Sequence, residues 1–241
     1  MSKKKILVIT GEFLPYTSSI GGVIRIVSFL KTLKKNKIKL ISVKKKNYGY
    51  FGFEKYVKHT ERKYINSNFL KKTFWSELIF RIIKRLFSNI LYIMGIDNSF
   101  FHINKIEKET MKTMVSFNPD FVLISAPPFS LFKIVKKIKK NFNKTKIILD
   151  YRDGWTQRVN SLLTLPIQKI MENVEKNIIS KADYILCATS QISENLLKIV
   201  NKNKLILLTN GFFVKNKNKI KKKQNLKTIK IGYFGLISDS S

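Results

Sequence analysis

The sequence predicts an α/β domain built on a doubly wound parallel sheet. Two observations carry that reading. Short apolar runs rich in β-branched residues recur along the chain without polar/apolar alternation, as strands covered on both faces do. Longer stretches with helical periodicity lie between them, and strand–helix–strand repetition places the functional crevice at the carboxyl ends of the strands. The length of 241 residues suits one such domain, or one and a fraction.

In chain order, the expected strands are Ile6–Thr10, Ile38–Val43, Phe121–Ser125, Lys146–Tyr151, Tyr184–Ala188 and Leu205–Leu208. Helical patterns fall near Val23–Lys35, Phe129–Asn141, Pro166–Lys181 and Ile192–Val200. Two further helical patterns, Phe69–Met94 and Ser99–Phe117, separate the second of these strands from the third. Tyr48–Tyr64 is dense in aromatics and Lys and reads as a loop. Lys215–Lys227, "KNKNKIKKKQNLK", has almost no apolar content and reads as a solvated linker. The strand pattern after it, Ile229–Phe234, then belongs to a separate unit.

Composition narrows the function. Formal net charge is +32, from 47 Lys+Arg against 15 Asp+Glu, while 44% of residues are hydrophobic. The second figure excludes a disordered composition. The first favours polyanionic partners such as nucleic acid, anionic lipid or phosphorylated ligands. A compositional drift toward Lys, Asn and Ile, spread over solvated faces, is the plainer source of the same excess. A single cysteine, Cys187, excludes a disulfide framework, and with only His59 and His102 beside it a soft-ligand metal site is not expected. Cys187 lies in the apolar run Tyr184–Ala188 and reads as a buried structural thiol. "MSKKKILVITGEF" has too short an apolar stretch for a signal peptide, and no segment reaches eighteen apolar residues. These readings make the chain cytoplasmic.

Three stretches are placed where chemistry is expected. Gly21-Gly22 follows the first strand and opens a helix that carries Arg25. Bare backbone N–H groups at a helix start attract an anion, although paired glycines also make an ordinary strand–helix turn. Leu149–Trp155, "LDYRDGW", gathers two acids, an Arg and a Trp at a strand end. A carboxylate there can accept a proton and Arg152 can hold an anion, or Arg152 simply pairs with Asp150 or Asp153. Ser125–Ser130, "SAPPFS", stiffens a third strand end with two prolines before a helix.

Taken in series, these stretches resemble the N-terminal domain of family-4-type glycosyltransferases with the GT-B fold. "KKILVITGEFLPYTSSIGGVIRIVSFLKTLKK", "NPDFVLISAPPFSLFKI", "KIILDYRDGW", "EKNIISKADYILCATSQISENL", "LLTNGF" and "IKIGYFGLISD" follow the family's order over residues 4–240. The resemblance implies a Rossmann-like acceptor-side domain over 1–213, a Lys-rich linker over 214–228, and the first strand and turn of a donor-binding domain over 229–241. It implies a retaining glycosyltransferase that moves a hexosyl-type sugar from a nucleotide-sugar to a cell-envelope polysaccharide, another cell-surface glycan or a lipid-linked acceptor, with no cofactor. Gly21, Gly22, Arg25 and Arg152 would bind the donor diphosphate or the acceptor, and Asp153 would be the catalytic residue facing the acceptor hydroxyl. Arg152 falls about where many relatives place a His, and Arg stays protonated, which argues against proton transfer at that position. Phe213 stands where relatives commonly carry Asp. Glu175 and Asp183 match a structural "E…AD" pattern. The family's Glu-x7-Glu donor motif does not occur before Ser241, so the resemblance implies a fragment holding half of a site.

Phe69–Met94 puts Trp75, Ile79, Ile82, Ile83, Leu86, Ile90 and Ile93 on one helical face, with Glu77, Arg81, Lys84 and Arg85 opposite. Such a helix lies in an anionic membrane interface or packs on the sheet. Peripheral membrane association through this stretch is one expectation. A non-catalytic acceptor- or membrane-binding module is the alternative to the enzyme. Nucleic acid is not an expected partner, because no recognisable module gathers Lys and aromatics on one face.

Overall fold

The computed structural model describes residues 2–17, 21–44, 52–66, 88–97, 100–156 and 165–211. Seven strands form one parallel sheet in the order β3-β2-β1-β4-β5-β6-β7. They are β1 (Lys5–Thr10), β2 (Lys37–Lys44), β3 (Glu61–Asn66), β4 (Phe121–Ala126), β5 (Lys146–Tyr151), β6 (Tyr184–Cys187) and β7 (Leu205–Leu207). The helices are α1 (Ile24–Thr32), α2 (Ser88–Ile93), α3 (Ile103–Phe117), α4 (Ile134–Asn141), α5 (Leu165–Ile179) and α6 (Ser190–Leu197). The chain runs outward from β1 to β3, returns through α3, and runs outward again from β4 to β7. That reversal sets a topological switch point between β1 and β4, where open α/β sheets form a crevice.

The six strands expected before Lys215 are present, within a residue or two at their ends. The central ones are sealed: Leu7, Val8, Ile9, Val122, Ile124, Ile147 and Leu149 are fully buried. This is why their sequences lack alternation. Asp120 and Asp183, each just before a strand, tie strands together at their starts. Asp120 accepts from the Lys5 N–H and Asp183 from the Ile147 N–H, both at 2.8 Å.

One strand departs from expectation. β3 occupies Glu61–Asn66, much of it inside the segment read as a loop, and pairs with β2 from Lys39↔Glu61 to Lys44↔Asn66. It is an edge strand with one neighbour, so Glu61, Lys63 and Asn66 stay exposed and Ile65 alone is buried. Nothing in so polar a run carries a strand signal. A short 3₁₀ turn, Glu54–Val57, precedes it. The pattern at Phe129–Asn141 also divides, into a 3₁₀ turn over Phe129–Lys133 and then α4.

Cys187 is the buried structural thiol that the sequence suggests. Burial pushes its pKa up to about 11, with a hydrogen bond to Ser193 acting the other way. Its thiolate is the reactive form. Iodoacetamide is therefore expected to leave the native protein unlabelled at mildly alkaline pH and to label it stoichiometrically in denaturant, as read by intact mass.

Asp183 sets a second expectation. Burial acts to raise its carboxyl, but hydrogen bonds from Lys139, the Ile147 N–H and Lys146 outweigh that and hold it below the ordinary value. Its stabilising contribution is then full above the unfolded-state pKa of about 3.9 and is lost as pH falls through the lower folded value. Asp183→Asn should lower the urea midpoint near neutrality, and the gap from wild type should close below about pH 4. A gap that stays constant down to strong acid would remove the ion pairs from the account.

Residues 212–241, with the expected linker and donor-domain strand, lie outside the described residues. Most of Phe69–Met94 does too, leaving Ser88–Met94, which contains α2.

Candidate functional site

A polar cleft of about 390 Å³ lies at the switch point, lined from five loops. Gly11 and Glu12 follow β1, Gly21, Gly22 and Arg25 begin α1, Pro127 and Pro128 follow β4, Arg152 and Asp153 follow β5, and Asp97 and Asn210 close it. All five residues the sequence singled out, Gly21, Gly22, Arg25, Arg152 and Asp153, thus converge on one cavity. They come from segments more than a hundred residues apart, brought together because parallel strands end on one side.

Arg25 is 4% exposed and fixed from two sides. Its Nε donates to Asp150 Oδ1 at 2.8 Å and its Nη1 to Asn210 Oδ1 at 3.0 Å, while the guanidinium lies over the Phe29 ring at 5.0 Å. Its Nη2 is buried with no hydrogen-bond partner among the described residues. Asp150 is completely buried and also accepts from Ser125 Oγ at 2.8 Å. Burial pushes the Asp150 carboxyl above its ordinary value, against the pull of Arg25 and the Ser125 hydrogen bond. Asp150 is therefore the anchor for Arg25, not a carboxylate offered to a substrate.

Arg152 corrects a second reading. It does not spend its donors on Asp150 or Asp153. Nη1 bonds the Gly22 carbonyl, Nη2 the Pro127 carbonyl, and Nε the Ala126 carbonyl at 3.3 Å. One guanidinium thus staples the glycine turn before α1 to the proline loop after β4. Only a planar fork with several donors does this, so Lys is not an equivalent residue here. The bonds hold the cleft walls and leave Arg152 as a wall residue more than a free anion clamp.

Asp153 is exposed beside it, on a loop held by Trp155. Trp155 is fully buried, donates from Nε1 to the Ile93 carbonyl at 2.9 Å, and stacks on Phe129 at 5.2 Å with rings 7° from parallel. Gly95, at φ +64°, passes against Trp155, where an added Cβ would sit 3.3 Å from Cζ2. Behind them, Glu175 is buried and accepts from Tyr151 Oη at 2.9 Å and Thr156 Oγ1 at 2.5 Å. Asp183 and Glu175 are both structural, as the resemblance implied.

Three polar lining side chains escaped sequence reasoning. Glu12 accepts from Thr17 Oγ1 at 2.9 Å and sits against Gly22, where a Cβ would lie 3.1 Å from Oε1. Asp97 accepts from both Ser130 N and Oγ, at 3.0 and 2.6 Å, capping the turn after the prolines. Asn210 meets Arg25. Glu12 and Asn210 lie within segments already quoted, but Asp97 lies in a connection with no periodic signal. Beyond Arg25 and Asn210 the cavity gives way to an apolar groove of about 630 Å³ against Ile6, Phe29, Leu123, Ile148 and Leu186.

No family model matches this chain, and no curated protein matches it. Solved structures do. Sucrose-phosphate synthase from Thermosynechococcus elongatus superposes with TM-score 0.55 at 12% identity, over 87% of this chain and 49% of that one. Weaker likenesses are the glycotransferase of kitacinnamycin (TM-score 0.48, 7% identity, 90% of this chain and 54% of that one) and an Arabidopsis thaliana protein complexed with UDP-L-rhamnose (TM-score 0.48, 13%, 85% and 48%). The chain spans about half the length of these structures. The architecture is accordingly a Rossmann-like α/β fold that matches a GT-B glycosyltransferase.

Proposed function

We propose that this chain is the acceptor-side half of a retaining glycosyltransferase, which moves a sugar from a nucleotide-sugar to a cell-surface glycan or a lipid-linked acceptor. The observation that carries the reading is the convergence of Gly21, Gly22, Arg25, Arg152 and Asp153 on one polar cleft at the switch point. The α1 start has no side-chain cap at Val23, so its first N–H groups remain available to an anion or a hydroxyl. The buried Arg25 Nη2 adds an unsatisfied donor at the cleft wall, a state that costs free energy until a ligand oxygen meets it. Asp153, the exposed carboxylate of the set, is assigned to the acceptor hydroxyl. In this reading residues 1–213 hold the acceptor, 214–228 connect, and 229–241 open the domain that grips the nucleotide.

An ¹⁵N NMR titration of this chain tests it. Glycan acceptors should shift the Gly21, Gly22 and Asp153 amides, and Asp153→Ala should weaken those titrations about tenfold, the worth of one charge-assisted hydrogen bond. Nucleotide-sugars should bind no tighter than the millimolar range, since base and ribose contacts belong to the other half. Micromolar nucleotide-sugar binding, or glycan shifts confined to surfaces away from the cleft, would overturn the assignment.

A further inference from the structure

The parallel sheet collects all strand starts at one end, opposite the cleft, and the last turns of α1, α3, α4 and α5 fall at the same end. The sequence fills that end with lysine. Lys3 and Lys4 precede β1, Lys34, Lys35 and Lys37 precede or open β2, Lys140 lies in the last turn of α4, Lys144 precedes and Lys146 opens β5, Lys181 precedes β6, and Lys202 precedes β7, all of them exposed. Ion pairs among the described residues tie only Lys139 and Lys146 there, both to Asp183, with Lys39 paired to Glu61 just inside. Lys204 is also spent, on the Ser180 and Ala182 carbonyls after α5. The lining of the cleft differs in balance: Glu12, Asp97 and Asp153 there offset Arg25 and Arg152.

We propose that this lysine rim is a docking face for an anionic lipid bilayer. Helix C-termini favour nearby cations, which accounts for one or two lysines per helix but not for those preceding strands. Seven strands set about 4.8 Å apart make the rim about 30 Å wide, so the charges spread along an edge and do not ring a groove. That geometry suits a planar array of headgroups. A nucleic acid would call for Arg forks and stacking aromatics, and the rim's cations are all Lys. Tyr184, 41% exposed as the first residue of β6, has the amphipathic character that settles at a headgroup interface. Docking by the rim points the cleft away from the bilayer, which, within the proposed function, favours a glycan acceptor that extends into solvent over one held at the membrane surface. It is thus distinct from association through Phe69–Met94, whose described end, α2, packs by Ile93 against Trp155 on the cleft side.

Vesicle co-sedimentation of the full chain decides the matter. Binding should appear with phosphatidylglycerol-containing vesicles, be absent with pure phosphatidylcholine, and fall steeply with added salt. The triple variant Lys35→Glu, Lys144→Glu, Lys181→Glu should lose at least about tenfold in partition. A triple of equal charge change on the first two turns of α3 and α5, Lys105→Glu, Lys108→Glu, Lys169→Glu, should lose far less. Circular dichroism checks that both remain folded. Equal losses from the two triples would reduce the effect to net charge and overturn the proposal. So would unchanged binding in the rim triple, loss of binding in Ile82→Glu with Leu86→Glu, or a rim triple that loses duplex-DNA binding while keeping vesicle binding.

Discussion

Asp150→Leu is expected to cost about 3–5 kcal/mol of stability, because it strands the Arg25 guanidinium in a site with 4% exposure. A domain of this kind has only about 5–15 kcal/mol to lose. The reciprocal change, Arg25→Met, behaves differently, and the difference is diagnostic. Without Arg25 the buried Asp150 carboxyl loses the charge that holds it down, and burial raises it further from its already elevated position. It then escapes by taking a proton. A carboxyl whose folded pKa lies above its unfolded value contributes stability at low pH, which is lost as pH rises through the folded value. Arg25→Met should therefore be tolerated in mild acid and become damaging toward neutral and alkaline pH. Asp150→Leu should stay damaging throughout, since Arg cannot shed its proton in that range. The double variant Arg25→Met, Asp150→Leu should regain most of the loss by replacing the pair with apolar packing. Urea midpoints measured across pH for the three variants check this. Parallel pH profiles for the two single variants would refute the buried-pair account.

Most of this architecture was legible because the central strands are buried on both faces. Runs such as "ILVIT" and "FVLIS" have no reason to be so apolar unless helices cover them on either side. The convergence of the glycine turn, the proline loop and the "DYRDGW" loop followed from topology alone, since each directly follows a strand of a parallel sheet. What stayed hidden has physical causes. β3 is a charged edge strand whose stability comes from backbone pairing to β2, not from side chains that announce it. The partner of Arg25 depended on which of two neighbouring acids points inward. The strand end decides this: Asp150 lies within β5 and is buried with Leu149 and Tyr151, whereas Asp153 lies past it on the loop and is exposed, and a reading of charges by proximity misses it. Arg152 bonds carbonyls, and carbonyls have no residue code. Asp97 enters the cleft from a connection whose sequence carries no period, so only the tertiary structure brings it to Ser130.

Trp155→Ala should have the second large effect, and it reaches function through the loop more than through the core. Removing a fully buried indole costs about 3–5 kcal/mol, from lost burial and from the cavity left against Phe129 and Phe132. The same ring is the inner anchor of the loop that presents Arg152 and Asp153. It is bonded to the Ile93 carbonyl at the end of α2 and wedged against Gly95. Losing it frees that loop from one of its attachments, the others being the Arg152 staple to Gly22 and Pro127, the Tyr92 Oη bond to the Gly154 carbonyl and the Thr156 bond to Glu175. Trp155→Phe separates the contributions. It keeps an aromatic ring to stack on Phe129 but removes the Nε1 donor, leaving the Ile93 carbonyl to seek another partner at a cost of about 1–3 kcal/mol. Thermal unfolding should rank wild type above Trp155→Phe above Trp155→Ala. Amide exchange should show faster opening at Arg152 and Asp153 in the Ala variant, with β1 and β4 still protected. If stability falls while exchange at those two amides is unchanged, the indole is a core residue and nothing more. Faster exchange there, with acceptor titrations at Gly22 weakened in step, would tie the aromatic core behind β5 to the geometry of the cleft.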